Sequence, residues 1–527
     1  MAASGVNLDA LIEREDLQVT SSPLGGNPTG EVNIALLTQD IFISGLRKPD
    51  FQRETVNWSP QKIVDLVTAF LDGDLIPAVI LWRSGHYTFV IDGAHRLSAI
   101  LAWLNDDYGD KSKSIAFFNN LIPREQKDLA EKTRALVDST IGSHAALKDK
   151  SKNRDFLDDI TKKRLGNYST NSFVVQWVPH SDADGAEASF FKINQLPTPV
   201  DPIEKQILKG RLLPNAIASR AINRNGVGHK YWGHFSLEIQ HQIEKLGREV
   251  YTALYSPPME AESVKTSDVP VGGRGYSALP FIYDVVNIVN GIGKKGVVQR
   301  DQDGSTTLQH LAAVRKKLSR ITTNDPGSLG LHPLVYFYTR GGAFQPVAFL
   351  ASVQVFNRLI DKGNASRFCD IRKDFESFLM KHKEAFTLVV KALGSGPRSR
   401  PALEAFLEMT MEELWQGKAE AEIVSVLAAD NRFRFLSTPQ PIRAQTRRSK
   451  GFDSSAKSAA YILTLFDSGV RCSECGGLVH SNSMTVDHAV RLADGGGNNS
   501  RNARITHPYC NSGYKEQRAH NPQQSPG

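Results

Sequence analysis

Residues 472–511, CSECGGLVHSNSMTVDHAVRLADGGGNNSRNARITHPYCN, decide the fold of the last part of this chain. The stretch begins with Cys472 and Cys475 and ends with His507 and Cys510, and two residues separate the members of each pair. Thiolate and imidazole pairs at this spacing are typical of tetrahedral zinc sites, and a site with four protein ligands is structural because it leaves no position for water. The sequence therefore predicts a small module held together by zinc.

The other features of the chain are those of an ordinary soluble protein of 527 residues, too long for a single core. Cys369 is the one cysteine outside the cluster, and its place in a helical pattern indicates a structural thiol with no part in the metal site. The chain lacks the spaced, even set of cysteines typical of a secreted disulfide framework. It also shows no signal-peptide pattern and no long apolar run, so we expect a cytoplasmic protein without a membrane span.

Between and after the zinc-ligand pairs lie further residues with a recognisable order. They are Asp487-His488, Gly495-Gly496-Gly497, Asn502 and Asn511. Together with the cysteine pairs, this order resembles the HNH endonuclease family, whose ββα-metal module presents a histidine base and a catalytic metal to a phosphodiester. The resemblance implies hydrolysis of DNA.

The same resemblance implies a role for each of these residues. His488 is the expected general base that deprotonates the attacking water. Asp487 and Asn511 are expected to hold one Mg²⁺ or Mn²⁺ ion against the scissile phosphate, since such ions favour oxygen ligands. Asn502 is expected to orient the loop after His488, and Lys515 is a candidate for a phosphate contact, one position later than the usual basic residue of the family.

The charge of the C-terminal region also indicates DNA as the partner. From residue 441 to the end, eleven Lys and Arg residues stand against six Asp and Glu residues, a formal excess of five positive charges. A basic terminal domain suits a polyanion, because phosphate contacts and counterion release supply most sequence-independent affinity for DNA. A basic surface that serves only solubility explains the same charge.

The N-terminal part of the chain predicts an α/β arrangement. Ser59-Pro60 starts a helix, because serine can cap it and proline fits its first turn. Apolar runs at residues 78–82 and 87–91 predict a β-hairpin, and residues 173–178 predict a buried strand. The segment Asp92-Gly93-Ala94-His95-Arg96 joins the hairpin to an apolar helix, which places backbone amides where an anion can bind.

This region resembles a second family. The FQR…W segment at residues 51–58, the helix that ends before Ile76-Pro77, the turn at residues 92–96 and Phe191-Lys192-Ile193-Asn194 are similar to the ParB-like domain of GmrSD/SspE-like restriction and phage-defence proteins. That family carries Asp-Gly-Gln-Gln-Arg where this chain has Asp-Gly-Ala-His-Arg. The resemblance implies a domain that senses modified DNA and, in several members, binds and hydrolyses a nucleoside triphosphate, GTP or ATP. The implied contact residues are Gln52, Arg53, Asp92, Gly93, His95 and Arg96, although a purely structural Arg–Asp pair and turn explain the same residues.

We therefore predict a multidomain protein of α/β plus α class. Its expected parts are a flexible N-terminal arm (1–30), a ParB-like sensor or nucleotide domain (31–210), a mainly α-helical middle domain (211–436), a basic linker (437–455), a zinc-stabilised ββα-metal HNH nuclease domain (456–520) and a tail (521–527). The predicted function is that of a modification-sensing DNA endonuclease of anti-phage defence. Two alternatives stay open, namely a zinc-stabilised DNA-binding regulator with an inactive nuclease site and an NTP-controlled toxin nuclease that is insensitive to modification.

Overall fold

The structure is a computed structural model that forms two compact units. It describes residues 5–15, 29–52, 54–55, 58–152, 157–179, 183–193, 202–259, 261, 263–274, 278–293, 298–394, 396, 398–434 and 452–520. The first unit comprises Met1–Glu244, Tyr276–Tyr283 and Val298–Thr307, and the second comprises Lys245–Gly275, Asp284–Val297 and Leu308–Gly527. The described elements make the chain a mixed α/β protein, as the sequence predicted.

The first unit combines strands and helices. Its elements are β1 (Arg14–Glu15), β2 (Glu31–Asn33), α1 (Ile34–Leu37), α2 (Asp40–Gly45), β3 (Leu46–Pro49), α3 (Pro60–Asp72), β4 (Val79–Ser84), β5 (Tyr87–Asp92), α4 (Ala94–Asn105), α5 (Ser112–Phe117), α6 (Arg124–Thr140), α7 (His144–Lys150), α8 (Asp159–Thr170), β6 (Ser172–Trp177), α9 (Ala183–Ile193), α10 (Pro202–Lys209) and α11 (Pro214–Asn223). Helices α12 (Leu237–Tyr255), α13 (Leu279–Val289) and α14 (Ser305–Thr322) have residues in both units.

The strands form one mixed sheet in the order β1-β3-β5-β4-β6-β2. The predicted hairpin is present, because β4 and β5 pair antiparallel with Trp82 opposite Phe89. Helix α3 also begins as predicted, since the Ser59 side chain accepts a hydrogen bond from the Lys62 amide and Gly73 ends the helix in the left-handed region. Its buried face consists of Ile63, Val64, Val67, Phe70 and Leu71, and Leu66 is half-buried.

The N-terminal segment differs from the expected flexible arm. We predicted order only from near Val32, but the chain already packs into the first unit at residues 5–15, where Val6, Leu8 and Leu11 are buried. The Val6 amide donates to the Trp58 carbonyl oxygen at 2.8 Å, and β1 pairs with β3. The reason is that the segment is ordered by partners about fifty residues further along the chain, such as Trp58 and Thr55. Residues 1–4 and 16–28 lie outside the described part of the chain.

Strand β6 is also less buried than the sequence predicted. Its side chains alternate, so that Phe173 and Val175 are buried whereas Val174 is 56% exposed. The strand lies next to the three-residue strand β2, and one face of the sheet is open at this position. A run of apolar residues is therefore compatible with a half-exposed strand near a sheet edge.

The second unit is mainly helical and includes the predicted zinc module. Its further elements are α15 (Pro333–Tyr336), α16 (Pro346–Asp361), α17 (Ala365–Lys381), α18 (Glu384–Leu393), α19 (Ser399–Trp415), α20 (Glu420–Ala429), α21 (Ser454–Ser468), β7 (Thr485–His488), β8 (Ala503–Thr506), a π-helical turn (Cys510–Tyr514) and α22 (Lys515–His520). Most of the predicted linker lies outside the described residues, which resume at residue 452.

Helix α17 supplies two acidic side chains, the buried Glu376 and the exposed Asp370, to the predicted zinc module within this unit. Glu376 accepts a hydrogen bond from the Leu478 amide at 2.8 Å, and Asp370 accepts one from the Tyr514 hydroxyl at 2.6 Å. The module therefore packs against a helix far from it in sequence, since Glu376 and Leu478 are 102 residues apart.

Candidate active site and metal centre

The backbone of the candidate site is a ββα arrangement. Strands β7 and β8 pair antiparallel, which sets Asp487 opposite Arg504 and His488 opposite Ala503. The π-helical turn and α22 follow β8 in the chain. Asp487 and His488 thus end the first strand, Asn502 immediately precedes the second, and Asn511 lies in the turn that leads into the helix.

Four side chains form a compact metal-ligand cluster. Cys472, Cys475, His507 and Cys510 are all buried, and their ligand atoms lie within 4.8 Å of one another. The first pair lies on a tight turn, in which the Gly476 amide donates to the Cys472 carbonyl oxygen at 2.9 Å. These are the four residues that the sequence predicted as zinc ligands, and their soft sulfur and imidazole donors fit zinc.

The hydrogen bonds of His507 define which of its ring nitrogens can bind a metal. Its Nδ1 lies 3.3 Å from the Cys475 sulfur, whereas its Nε2 lies 3.1 Å from the Leu478 carbonyl oxygen. A carbonyl oxygen only accepts, so Nε2 carries the proton and Nδ1 presents its lone pair to the thiols. This is the arrangement expected when a backbone carbonyl orients a metal-bound imidazole.

A buried ion pair on α17 borders this cluster. Arg372 and Glu376 are both inaccessible to solvent and lie 2.8 Å apart. Arg372 also places Nη1 3.2 Å from Nδ1 of His507. Arg372 thus brings its guanidinium to the cluster while Glu376 balances its charge. Burial opposes ionisation of Cys475, but hydrogen bonds from Cys369, Cys472 and Cys510 hold its pKa well below the usual value.

Cys369 lies at the cluster instead of standing apart from it. Its sulfur is 3.9 Å from the Cys510 sulfur, and the two thiols share one buried apolar cluster. The prediction of a thiol unrelated to the metal site did not foresee this contact, because the two cysteines are 141 residues apart in sequence. Cys369 therefore belongs to the immediate surroundings of the four ligands.

The imidazole of His488 lies at the surface and has a defined orientation. Its Nε2 is 2.7 Å from Oδ1 of Asn498, and the ring is only half-buried. An amide oxygen accepts, so Nε2 carries the proton and Nδ1 is the nitrogen free to take one. The sequence indicated His488 but not Asn498, since an asparagine beside a glycine run has no distinctive pattern.

The carboxylate of Asp487 is engaged by cations. Lys515 places its Nζ 2.8 and 3.0 Å from the two carboxylate oxygens, and Arg504 lies 3.7 Å from one of them. Asn511 makes a different contact, with its Nδ2 3.4 Å from the Thr485 hydroxyl. Within the described residues no hydrogen bond joins Asp487 to Asn511. Lys515, predicted as a phosphate contact, thus neutralises Asp487.

The side chain of Asn502 makes three hydrogen bonds to the loop after His488. Its Oδ1 accepts from the Val490 amide at 2.7 Å, and its Nδ2 donates to the carbonyl oxygens of Val490 and Gly497 at 2.9 Å. Gly496 lies against the same side chain, because a Cβ built on it would fall 2.8 Å from Nδ2 and 2.0 Å from the Val490 carbonyl oxygen. The loop can close around Asn502 only with glycine at that position.

The candidate sensing residues of the first unit form mostly internal contacts. Asp92 pairs with Arg96 at 2.7 Å, His95 stacks on Trp58 with ring centroids 5.6 Å apart, and Gln52 donates to the Ile91 carbonyl oxygen at 3.3 Å. Gly93 joins β5 to α4 with φ +96°. Arg53 and Asn194 lie outside the described residues, so their predicted contacts are not placed.

Two family models match the chain, one in its N-terminal region and one at the candidate active site. Residues 472–517 match the family described as HNH endonuclease. Residues 35–213 match the family described as GmrSD restriction endonuclease, N-terminal domain. The chain therefore joins a GmrSD-type N-terminal domain to a C-terminal HNH endonuclease domain, as the sequence resemblance indicated. No curated protein and no solved structure gives a significant match.

These matches support a nuclease of restriction or defence, with DNA as the substrate of the endonuclease domain. In the described part of the chain, no helix has the length and apolar character needed to cross a membrane.

Proposed function

We propose that this protein is a modification-sensing DNA endonuclease of anti-phage defence whose HNH module hydrolyses phosphodiester bonds with Mg²⁺ or Mn²⁺. The observation that carries the proposal is the half-exposed imidazole of His488 at the end of β7, held by Asn498 and directly after the Asp487 carboxylate. Surface exposure matters here because a base that cuts a polymer must reach the backbone of a bound strand.

In this proposal each residue of the module has one task. Nδ1 of His488 accepts the proton of the attacking water while Asn498 holds the opposite side of the ring. Asn502 fixes the loop after His488 through its three hydrogen bonds. The excess of basic residues in the terminal region attracts the DNA backbone.

The proposed catalytic metal is held by Asp487 and Asn511. Both offer oxygen donors of the kind that Mg²⁺ and Mn²⁺ favour. A divalent ion at this position neutralises charge that develops on the phosphate and on the leaving oxygen. Because Lys515 engages both oxygens of Asp487, metal binding there requires Lys515 to release at least one of them.

Zinc is proposed to have a structural role at Cys472, Cys475, His507 and Cys510. All four donors come from the protein and all four are buried, so no position remains for a reactive water. The zinc site thereby fixes the position of Cys510, which directly precedes Asn511, relative to the turn at Cys472.

For the N-terminal domain we propose a controlling role, with modified DNA or a nucleoside triphosphate as the signal. The match to the restriction-endonuclease N-terminal domain supports this role. The test compares cleavage of one plasmid in modified and unmodified form, with and without GTP or ATP. Preferential cleavage of the modified plasmid is expected. Equal cleavage of both forms that depends on GTP or ATP would favour the NTP-controlled toxin nuclease instead.

A second candidate function, a DNA-binding regulator without cleavage activity, is favoured by the ion pair between Lys515 and Asp487. A lysine ammonium group can substitute permanently for a metal at such a carboxylate. Binding of DNA without cleavage of any substrate across a range of Mg²⁺ and Mn²⁺ concentrations would support this function. Metal-dependent cleavage of any DNA would exclude it.

A further inference from the structure

Arg504 lies between two carboxylates in the endonuclease module. It stands opposite Asp487 in the pairing of β7 with β8. Its Nη2 is 2.7 Å from Oε1 of Glu474, whereas its Nε is 3.7 Å from Oδ2 of Asp487. The first distance is that of a charge-assisted hydrogen bond, and the second is too long for one. Arg504 is therefore bonded to Glu474 and only close to Asp487.

The Nε atom of Arg504 is left without an acceptor. It is buried and has no hydrogen-bond partner among the described residues. Buried donors are usually paired, because an unpaired donor loses its hydration without compensation. A shift of about half an ångström toward Asp487 would bring Nε into hydrogen-bond range. The guanidinium is thus held short of a contact that would satisfy it.

Glu474 has the position needed to hold the guanidinium. It follows Ser473 in the turn between the first pair of proposed zinc ligands, and its side chain is only 10% exposed. The Ser473 amide and hydroxyl both donate to the Ile505 carbonyl oxygen, at 3.0 and 3.1 Å. Ile505 directly follows Arg504 in β8. The turn that carries Glu474 is therefore fastened to the strand that carries Arg504.

The charges around Asp487 indicate what this restraint does. Lys515 contacts both oxygens of Asp487, at 2.8 and 3.0 Å, and Asp487 is 7% exposed. A guanidinium that closed on the same carboxylate would add a second direct cation, and its planar fork suits carboxylate oxygens. A divalent metal would then have to displace two cations instead of one. With Arg504 bound to Glu474, Lys515 is the only cation among the described residues in hydrogen-bond contact with Asp487.

We propose that Glu474 is a positioning residue for the catalytic metal, because it holds the Arg504 guanidinium away from Asp487 and keeps that carboxylate available to Mg²⁺ or Mn²⁺. The inference rests on the proposed function, in which Asp487 is a metal ligand. These ions bind through oxygen donors, and a carboxylate that is already paired with two cations is a poor one. The turn of the zinc site thus also sets the charge environment of the catalytic carboxylate.

The test measures Mn²⁺ affinity of the full-length protein by electron paramagnetic resonance of free Mn²⁺, without reference to cleavage. Glu474→Met removes the carboxylate but keeps an unbranched side chain, and Glu474→Gln keeps the shape and a weaker acceptor. The double variant Glu474→Met/Arg504→Met removes both partners. Glu404→Met is the matched control, because Glu404 lies on α19, is similarly buried with 13% of its side chain exposed, and pairs with Arg358 at 2.9 Å. Zinc content by atomic emission checks that the ligand turn is intact in each variant.

The expected results separate a positioning role from a structural one. The parent and Glu404→Met should bind Mn²⁺ equally. Glu474→Met should bind it about tenfold more weakly, and Glu474→Gln should show a smaller loss, because Arg504 then closes on Asp487. The double variant should bind at least as tightly as the parent, since no guanidinium is left to close. A purely structural role of Glu474 would weaken binding with or without Arg504.

Two results would overturn the proposal. They are unchanged Mn²⁺ binding by both single variants of Glu474, and a double variant that binds as weakly as Glu474→Met. Failure of the parent to bind Mn²⁺ has a different meaning, because it would refute the metal site at Asp487 and this inference with it.

Discussion

At the scale of single residues, Asp487 lies between two cations at the point where a catalytic metal is proposed. Lys515 contacts both of its oxygens and Arg504 lies 3.7 Å from one. These contacts hold the carboxylate in place. They also make the Lys515 ammonium group a competitor of the metal.

This competition predicts that Lys515→Met binds Mn²⁺ more tightly than the parent. The expected gain is about tenfold or more, since one charge-assisted contact to a carboxylate is worth about 1.5–3 kcal/mol. Electron paramagnetic resonance of free Mn²⁺ during titration measures the affinity without reference to activity. Arg501→Met is a suitable control, because Arg501 is an exposed basic residue next to Asn502. Unchanged or weaker Mn²⁺ binding by Lys515→Met would contradict the competition.

The cysteines of the metal centre predict two different outcomes. Cys472→Ser removes a proposed zinc ligand, so the purified protein should hold much less than one zinc per chain and the module should unfold locally. Cys369→Ser should keep one zinc, because four other ligand atoms lie within 4.8 Å of one another, but should release it faster to a chelator. Zinc content by atomic emission and release kinetics with a chromogenic chelator provide the measurements. Full zinc content in Cys472→Ser would refute the ligand assignment.

A buried lysine makes the stability of the second unit depend on pH. Lys383 is 5% exposed and donates to the Leu334 carbonyl oxygen at 2.8 Å, and burial lowers its pKa to about 7. Between about pH 7 and the ordinary lysine pKa, the unfolded chain binds the proton and the folded chain does not, so stability rises with pH. Over this whole range the free energy of unfolding changes by on the order of 5 kcal/mol.

Lys383→Met should therefore lose this dependence. Relative to the variant, the parent should gain thermal stability as the pH rises from about 7 to about 9.5. The hydrogen bonds that the variant also loses contribute an offset that does not change with pH. Melting temperatures of both proteins across this range provide the check. A constant difference would show that Lys383 titrates normally.

At the scale of elements, the junction between β5 and α4 depends on one glycine. Gly93 has φ +96°, and a Cβ on it would lie 2.7 Å from Cγ1 of Val79. Gly93→Ala should therefore destabilise the first unit by about 2 kcal/mol or more. Gly142→Ala separates the two causes, because Gly142 has φ +79° but nothing within 4 Å of a built Cβ. Thermal unfolding of both variants measures the difference, and equal losses would show that the contact with Val79 is unimportant.

The sequence predicted elements well where the pattern is local. Ser59 and Gly73 mark the two ends of α3 through capping and backbone conformation, and the hairpin follows from two apolar runs around a glycine turn. The buried segment at residues 5–15 was missed, because its packing depends on partners such as Trp58 and Thr55 about fifty residues away. The exposure of Val174 was missed for the same kind of reason, since it depends on which strand lies next to β6.

The candidate site likewise combines residues that a local pattern reveals with residues that only long-range contacts bring together. That Cys472, Cys475, His507 and Cys510 lie together could be predicted, because a metal site requires particular residue types at short spacing. Arg372, Cys369 and Asn498 could not, because each acts through a contact that spacing does not encode. Arg372 is 135 residues from His507 in sequence, and only the folded helix α17 brings its guanidinium to the imidazole.

At the scale of the whole molecule, the chain joins a restriction-type N-terminal domain to an endonuclease domain. We expect the endonuclease domain to cut DNA with His488 as its base. Nicking of a supercoiled plasmid, with Mg²⁺ or Mn²⁺, tests this claim most directly. The parent should convert the plasmid to nicked or linear DNA. His488→Ala should lower the rate by at least about a hundredfold while it keeps its zinc. His241→Ala, which changes an exposed histidine on α12, should cut like the parent. Equal cleavage by the parent and His488→Ala would contradict the assignment of His488 as the base.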